Sequence, residues 1–108
     1  MSEIPYGPTE AGAVVLEIGA GTGALVVRAP AELADREIEI SPSDQPSRRR
    51  HACVRERRSD GAISYAAIYD RLPPGRYTIW LNCRISAATI TVTGGQVASY
   101  DWPAGHSG

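Results

Sequence analysis

The stretch DGAISYAAIYDRLPPGRYTIWL, residues 60–81, contains two alternating segments separated by a proline-rich turn. In Ala62–Tyr69 and in Arg76–Leu81, apolar or aromatic residues recur at every second position, which is the period of a half-buried β-strand. The intervening LPPG, Leu72–Gly75, forces a turn, because its two prolines fix φ and lack backbone donors and a glycine follows them. The stretch therefore predicts a strand, a turn and a second strand.

The same period of two appears on both sides of this stretch. It is clearest in Arg36–Ile40, where isoleucines alternate with glutamates. SDG at 59–61 is a hairpin signal, SPSDQPS at 41–47 is an exposed loop, and only Pro30–Arg36 has room for a turn or two of helix. The predicted strands are Ala13–Ile18, Ala24–Ala29, Arg36–Ile40, Arg50–Arg58, Ala62–Tyr69, Arg76–Leu81, Ala88–Thr93 and Gln96–Trp102.

These strands predict an all-β protein, a single antiparallel β-sandwich of the Ig-like kind with about seven or eight short strands. A chain of 108 residues suits one domain. We place the sandwich at residues 13–102, between a flexible N-terminal arm at 1–12 and a flexible tail at 103–108.

The composition narrows the possible partners and compartments. The net charge is −1, so there is no global attraction to nucleic acid or to an anionic membrane. No stretch approaches the roughly 18 apolar residues of a membrane span, and the N-terminus lacks the basic and apolar regions of a signal peptide. All 11 basic residues are arginine, which is typical of GC-rich genomes. We expect a cytoplasmic bacterial protein.

The stretch VVLEIGAGTGAL, residues 14–25, is similar to the cofactor loop of S-adenosylmethionine-dependent methyltransferases. Such a loop follows an apolar strand, brings the backbone close to the cofactor and is followed at once by a helix. Glu17 would be the acid of the first strand, and Glu37 or Glu39 the acid of the second. However, Ala24–Pro30 contains β-branched residues and ends in proline, so it favours a strand. We therefore interpret GAGTG as a permissive hairpin connection and keep the small cofactor-binding enzyme as an alternative.

The second half of the chain resembles the prealbumin-like sandwiches, namely the carboxypeptidase regulatory-like and collagen-adhesin B-type repeat domains. The residues that carry the resemblance are Gly61, Tyr65, Tyr69, Leu72, Pro74, Gly75, Tyr77 and Ile79. The chain also resembles small proteins of high-GC bacteria. This second resemblance gives no information about activity. The sandwich resemblance implies a non-catalytic spacer, docking module or accessory subunit. It does not extend to the isopeptide bond of some adhesin domains, because the chain has no lysine.

The alternation also predicts which side chains face a partner. If Tyr65, Ala67, Tyr69, Tyr77, Ile79 and Leu81 point inward, then Ala66, Ile68, Thr78 and Trp80 lie on the opposite face. Aromatic anchors dominate protein interfaces, so Ile68, Thr78 and Trp80 are candidate interface residues. The alternatives are a reversed register and coverage of this face by another segment.

The run RRRHACVRERR, residues 48–58, contains six of the arginines. Arg50, Arg55 and Arg57 are candidate residues for binding an anion, a phosphate or a nucleic acid. The alternative is a charged edge strand that blocks unwanted sheet pairing. We favour the edge strand and do not expect nucleic acid, because no aromatic stacking platform is interleaved with the arginines.

The remaining reactive residues form no recognisable site. Cys53 and Cys83 make no CxxC motif, and two free thiols are expected in a reducing compartment. His51 and Cys53 on one strand face project in parallel, so they do not form a catalytic dyad. They could bind a soft metal together with Cys83 or His106, but nothing in the sequence places these groups together. We expect no enzymatic activity, cofactor, metal or membrane association. The expected function is a protein-binding or accessory module that self-associates or docks to a larger protein.

Overall fold

The computed structural model describes residues 21–82 and 84–103, and within them it contains eight β-strands and one short 3₁₀ helix at Ala31–Leu33. This confirms the predicted all-β class. The predicted arm at 1–12, the strand at Ala13–Ile18 and nearly all of the tail at 103–108 lie outside the described residues. The strands are β1 (Gly23–Ala29), β2 (Glu37–Pro42), β3 (Arg50–Cys53), β4 (Arg55–Ser59), β5 (Ala62–Leu72), β6 (Gly75–Trp80), β7 (Ser86–Val92) and β8 (Val97–Asp101).

The strands form two four-stranded sheets that pack face to face as a sandwich. The first sheet has the order β4-β5-β1-β8 and the second has the order β3-β2-β6-β7. All pairings are antiparallel except that of β1 with β8, which is parallel. The predicted antiparallel β-sandwich is therefore confirmed, with one parallel pair in its first sheet. The chain reaches β8 from β7 in the other sheet, and such a crossover allows parallel pairing.

The core lies between the sheets and follows the predicted alternation. Tyr69 and Tyr77 are buried, and Leu81 packs against the core at its margin. The inward set predicted from the sequence is confirmed. The buried cluster contains Leu25, Val27, Leu33, Ile38, Ile40, Val54, Ala67, Tyr69, Leu72, Tyr77, Ile79, Val92 and Trp102.

A bulge near the end of β5 corrects the alternation at one position. Gly23 pairs with Leu72 but Leu25 pairs with Tyr69, so β5 holds an extra residue opposite β1. Arg71 lies in this segment with φ of 55°. The extra residue turns Leu72 into the core, where it is 1% exposed, although strict alternation from Tyr69 would point it outward.

The arginine-rich run does not form the single strand predicted at Arg50–Arg58. It forms β3 at an edge of the second sheet and β4 at an edge of the first. Between them Val54 is fully buried, its N–H donates to the Arg36 carbonyl, and its own carbonyl accepts from the Asp35 N–H, both at 2.8 Å. The buried apolar side chain and its two hydrogen bonds fix the point where the chain changes sheets.

The predicted turns have different roles. Asp60 and Gly61 connect β4 to β5 as a two-residue hairpin loop, and both have positive φ, 51° and 80°, as a type I′ turn requires. Gly94-Gly95 is also a turn, and there the chain passes from β7 to β8. The Pro73-Pro74 turn joins β5 in the first sheet to β6 in the second. The two halves of the fold-deciding stretch therefore lie in opposite layers.

The described end of the GAGTG motif packs against its own chain. The Thr22 carbonyl accepts a hydrogen bond from Gly95 N–H at 2.7 Å, and Ala24 N–H donates to the Gln96 carbonyl at 3.0 Å. A Cβ on Gly23 would lie 2.5 Å from the Thr93 carbonyl oxygen and 2.7 Å from a Val92 methyl. Among the described strands, β5 and β8 lie on the two sides of β1, and the predicted hairpin partner of β1, Ala13–Ile18, lies outside the described residues.

Tyr69 connects the two sheets through the core. It is fully buried on β5, and its hydroxyl donates a hydrogen bond to the Ile38 carbonyl on β2. Burial raises the pKa of Tyr69 well above its usual value, and the charge of Arg50 opposes this shift only in part. The folded protein therefore holds the neutral phenol more strongly than the unfolded chain does.

We expect Gly23→Ala to lower the free energy of unfolding by about 1–3 kcal/mol, because its Cβ overlaps backbone and side-chain atoms. The matched control is Gly21→Ala, whose Cβ has nothing within 4 Å and should change stability by less than about 0.5 kcal/mol. Urea unfolding followed by circular dichroism measures both variants. Equal losses in the two variants would contradict the packing explanation.

Stability should fall at alkaline pH because of Tyr69. A folded pKa raised above the unfolded value of about 10 gives a contribution that is complete below that pH and is lost as pH rises above it. Tyr69→Phe should cost about 1 kcal/mol at neutral pH and reduce the alkaline loss. Denaturation curves from neutral to alkaline pH measure this, and an unchanged alkaline slope in the variant would exclude Tyr69 as its source.

Candidate functional site on the outer face of the second sheet

The three candidate interface residues do not lie on one surface. Ile68 lies on the outer face of the first sheet, whereas Thr78 and Trp80 lie on the outer face of the second. The single Ile–Trp patch is therefore wrong, because the proline turn carries the chain from one layer to the other. Ile68 and Trp80 are also partly buried, and the exposed large apolar residues among those described are Ile63 and Ile85.

Trp80 is held in one orientation on its face. The guanidinium of Arg49 stacks over the indole, 3.8 Å from the ring centroid. The indole Nε1–H donates to Ser41 Oγ at 3.0 Å, and Ser41 itself is fully buried. Neighbouring Thr78 shares a hydrogen bond of 3.1 Å with the hydroxyl of Ser43. These contacts fix both predicted residues of β6 before any partner binds.

A charged network adjoins Trp80 on the same face. Arg49 forms an ion pair with Glu39 at 2.7 Å, and His51 Nδ1 lies 3.4 Å from a carboxylate oxygen of both Glu37 and Glu39. This network was not predicted from the sequence. The sequence pattern that could have indicated it is the alternation of glutamates in β2. The partner strand β3 begins directly after Arg49 and places His51 opposite Glu39.

An open cleft of about 240 Å³ lies next to Trp80. Leu33 and Trp102, both buried, line it together with the polar side chains of Arg36, Glu37 and Asn82. Trp80 lines the cleft and Arg49 does not. The part of Trp80 that faces the cleft is therefore not covered by Arg49. The cleft thus combines an apolar floor with charged and amide groups at its rim.

The three candidate anion-binding arginines are not brought together. Arg50 lies on β3 of the second sheet, where its Nη2 donates to the Asp70 carbonyl at 2.8 Å. Arg55 and Arg57 lie on β4 of the first sheet, and Arg55 is 3.7 Å from an Asp35 carboxylate oxygen. Because the chain changes sheets at Val54, Arg55 and Arg57 lie on a different sheet from Arg50. Their position on edge strands is the one expected of charges that block sheet pairing.

Arg57 is the most enclosed arginine of β4. Its Nε is buried without a hydrogen-bond partner among the described atoms. Burial, assisted by the neighbouring charge of Arg55, lowers the pKa of Arg57. The Nε atom of Arg57 is therefore enclosed and not accessible to a ligand.

Of the reactive residues, His51 and Cys53 lie on β3, and His106 lies outside the described residues. Cys53 is a partly buried free thiol on β3, and Cys83 lies outside the described residues. Within residues 21–82 and 84–103, no group of three histidine, cysteine or acidic side chains has the arrangement of a metal site. In the same part of the chain, no helix is long and apolar enough to cross a membrane.

Comparison of the chain with protein-family models, with curated proteins and with solved structures finds no match.

Removing the Ser41 hydroxyl should weaken the anchoring of Trp80. We expect Ser41→Ala to lower the free energy of unfolding by about 1 kcal/mol, since the indole N–H loses its acceptor. Ser43→Ala removes an exposed hydroxyl that is hydrogen-bonded to Thr78 and should cost less than about 0.5 kcal/mol. Urea denaturation measures both, and a larger loss for Ser43→Ala would reverse this assignment.

Proposed function

We propose that this protein is a non-catalytic β-sandwich binding module that docks to a larger protein through the outer face of its second sheet. Trp80 is the anchor of that surface, and Thr78 and the cleft beside Trp80 belong to it. This proposal retains two of the three interface residues predicted from sequence and leaves out Ile68, which lies on the opposite side of the sandwich. The expected compartment is the cytoplasm.

The observation that carries the proposal is the fixed orientation of Trp80 on a solvent-facing sheet surface. Arg49 stacks on the ring and Ser41 accepts its N–H, so the side chain has little rotamer freedom left to lose. Binding energy in protein interfaces concentrates in such aromatic and arginine residues, and an anchor that is already ordered costs less to bind. The neighbouring network of Glu37, Glu39 and His51 supplies the polar rim that surrounds such anchors.

The cofactor-binding alternative receives less support. A methyltransferase-type loop needs a helix immediately behind its glycines, whereas Ala24–Ala29 belongs to β1. Gly23 is in contact with the β7–β8 connection, so its lack of a side chain already has a packing reason. The resemblance to prealbumin-like accessory domains stays a prediction, and the role that it implies agrees with the binding module.

The proposal is tested by partner capture followed by direct measurement. Proteins retained from a native lysate by the wild-type chain are identified by mass spectrometry, purified and titrated by calorimetry against the wild type and Trp80→Ala. We expect saturable binding that weakens at least about tenfold in the variant, as truncation of an aromatic anchor costs about 2 kcal/mol or more. Thermal melts establish that the variant remains folded.

The controls locate the surface. Ile63→Ala removes a comparably apolar side chain that is 52% exposed on the first sheet, and Ile68→Ala probes the outer face of that sheet. Both should leave the affinity unchanged. Binding that depends on Ile68 and not on Trp80 would overturn the assignment of the surface. Light scattering that shows a Trp80-dependent homo-oligomer would overturn the assignment of the partner to another protein.

A further inference from the structure

A groove runs along the side of the Trp80 surface that lies opposite the cleft. It consists of two adjoining depressions of about 430 and 480 Å³, formed between the loop after β2 and the proline turn before β6. Pro42, Pro73 and Tyr77 line both depressions. Ser41 and Arg49, which hold Trp80, also line the groove, so it is continuous with the proposed docking surface.

The lining of this groove is basic. Arg48, Arg49 and Arg50 line one depression, Arg48 and Arg76 line the other, and Asp44 is the acidic side chain among the lining residues. Arg48 donates to the neutral Gln45 side chain at 3.0 Å, so its charge is not compensated by this contact. Arg50 has a longer contact of 3.6 Å with the Asp70 carboxylate. Among these arginines, Arg49 already has its charge neutralised by the ion pair with Glu39.

The walls of the groove are fixed by hydrogen bonds. Ser43 N–H donates to the Arg76 carbonyl at 2.9 Å, Gln45 N–H donates to the Pro42 carbonyl at 2.9 Å, and the Arg48 N–H donates to the Gln45 carbonyl at 3.0 Å. On the opposite wall, the hydroxyl of Tyr77 donates to the Pro73 carbonyl at 2.6 Å. A ligand therefore meets guanidinium groups on a backbone that is already ordered, which lowers the cost of binding.

We propose that this groove binds an extended acidic segment of the docked protein, with Arg48 and Arg76 as the main charge contacts and Arg50 beside them. Guanidinium groups bind carboxylates through paired, charge-assisted hydrogen bonds. The proline-lined floor offers an extended chain an apolar surface between those contacts. This inference rests on the proposed docking function and names the chemistry of the partner.

The shape of the groove favours a peptide over a nucleic acid. Single-stranded nucleic acids bind to basic grooves in which aromatic rings stack on the bases. The aromatic residue lining this groove is Tyr77, which is 5% exposed and has its hydroxyl bound to Pro73, so its ring is not available for stacking.

The test uses a fluorescein-labelled oligoglutamate peptide as the probe and anisotropy as the measurement. We expect saturable binding to the full chain that weakens as salt rises and at least about tenfold in the Arg48→Gln/Arg76→Gln variant, since two charge-assisted contacts are removed. The matched control is Arg58→Gln/Arg84→Gln, which loses the same charge from exposed positions outside the groove and should retain most of the affinity. An oligoglutamine peptide should not bind.

The contrary outcomes separate this inference from the proposed function. Equal loss in both double variants would show a general charge effect and overturn the groove. Stronger competition by a single-stranded oligonucleotide than by unlabelled oligoglutamate would overturn the peptide assignment. Inorganic phosphate that displaces the probe as well as oligoglutamate does, at equal concentrations of phosphate and carboxylate, would overturn it too. Absence of oligoglutamate binding while a captured protein still requires Trp80 would overturn the groove alone. Loss of the Trp80 effect with retained, Arg48-dependent peptide binding would overturn the docking surface alone.

Discussion

The hydrogen bond from the Tyr69 hydroxyl to the Ile38 carbonyl sets the geometry on which the rest of the sandwich depends. Tyr69 belongs to the first sheet and Ile38 to the second, so a single buried contact ties the layers together at a defined offset. The same carbonyl lies on β2, whose other face presents Glu37 and Glu39 to solvent. A core contact on one face of β2 thereby positions the charged residues on its outer face.

The sheet change at Val54 decides which charges meet. An unbroken strand through the arginine run would place Arg55 and Arg57 on the same sheet as Arg50. Burial of Val54 sends β4 to the first sheet, and Arg50 stays beside β2 on the second. Arg50 therefore shares a surface with Arg48 and Arg49, which precede it in the chain. Burial of Val54 therefore places Arg55 and Arg57 on the edge strand β4 and leaves Arg50 in the basic groove.

Much of the fold could be predicted from sequence because alternation reports which side of a strand is buried. Tyr69, Tyr77 and Ile79 face the core as predicted. Alternation does not report which sheet a strand joins. Ile68 and Trp80 were therefore predicted to share a face, whereas in the structure they lie on opposite sides of the sandwich. Leu72 depends on a bulge that its own residue pattern does not reveal. Of the residues in the candidate site, Trp80 and Thr78 were predicted from the sequence. The contacts of Arg49, His51 and Ser41 could not be predicted, because they depend on which strands pair.

The net charge of −1 conceals an uneven distribution of charge between the two ends of the paired strands β2 and β6. On one side of Trp80, the cleft is lined by Glu37 and Glu39 together with Arg36. On the other side, the groove holds four arginines and Asp44. Arg49 and Trp80 lie between the two regions, and Arg49 is itself paired with Glu39. A partner that docks here must place its acidic segment at the groove, so this asymmetry gives the surface a direction as well as an anchor.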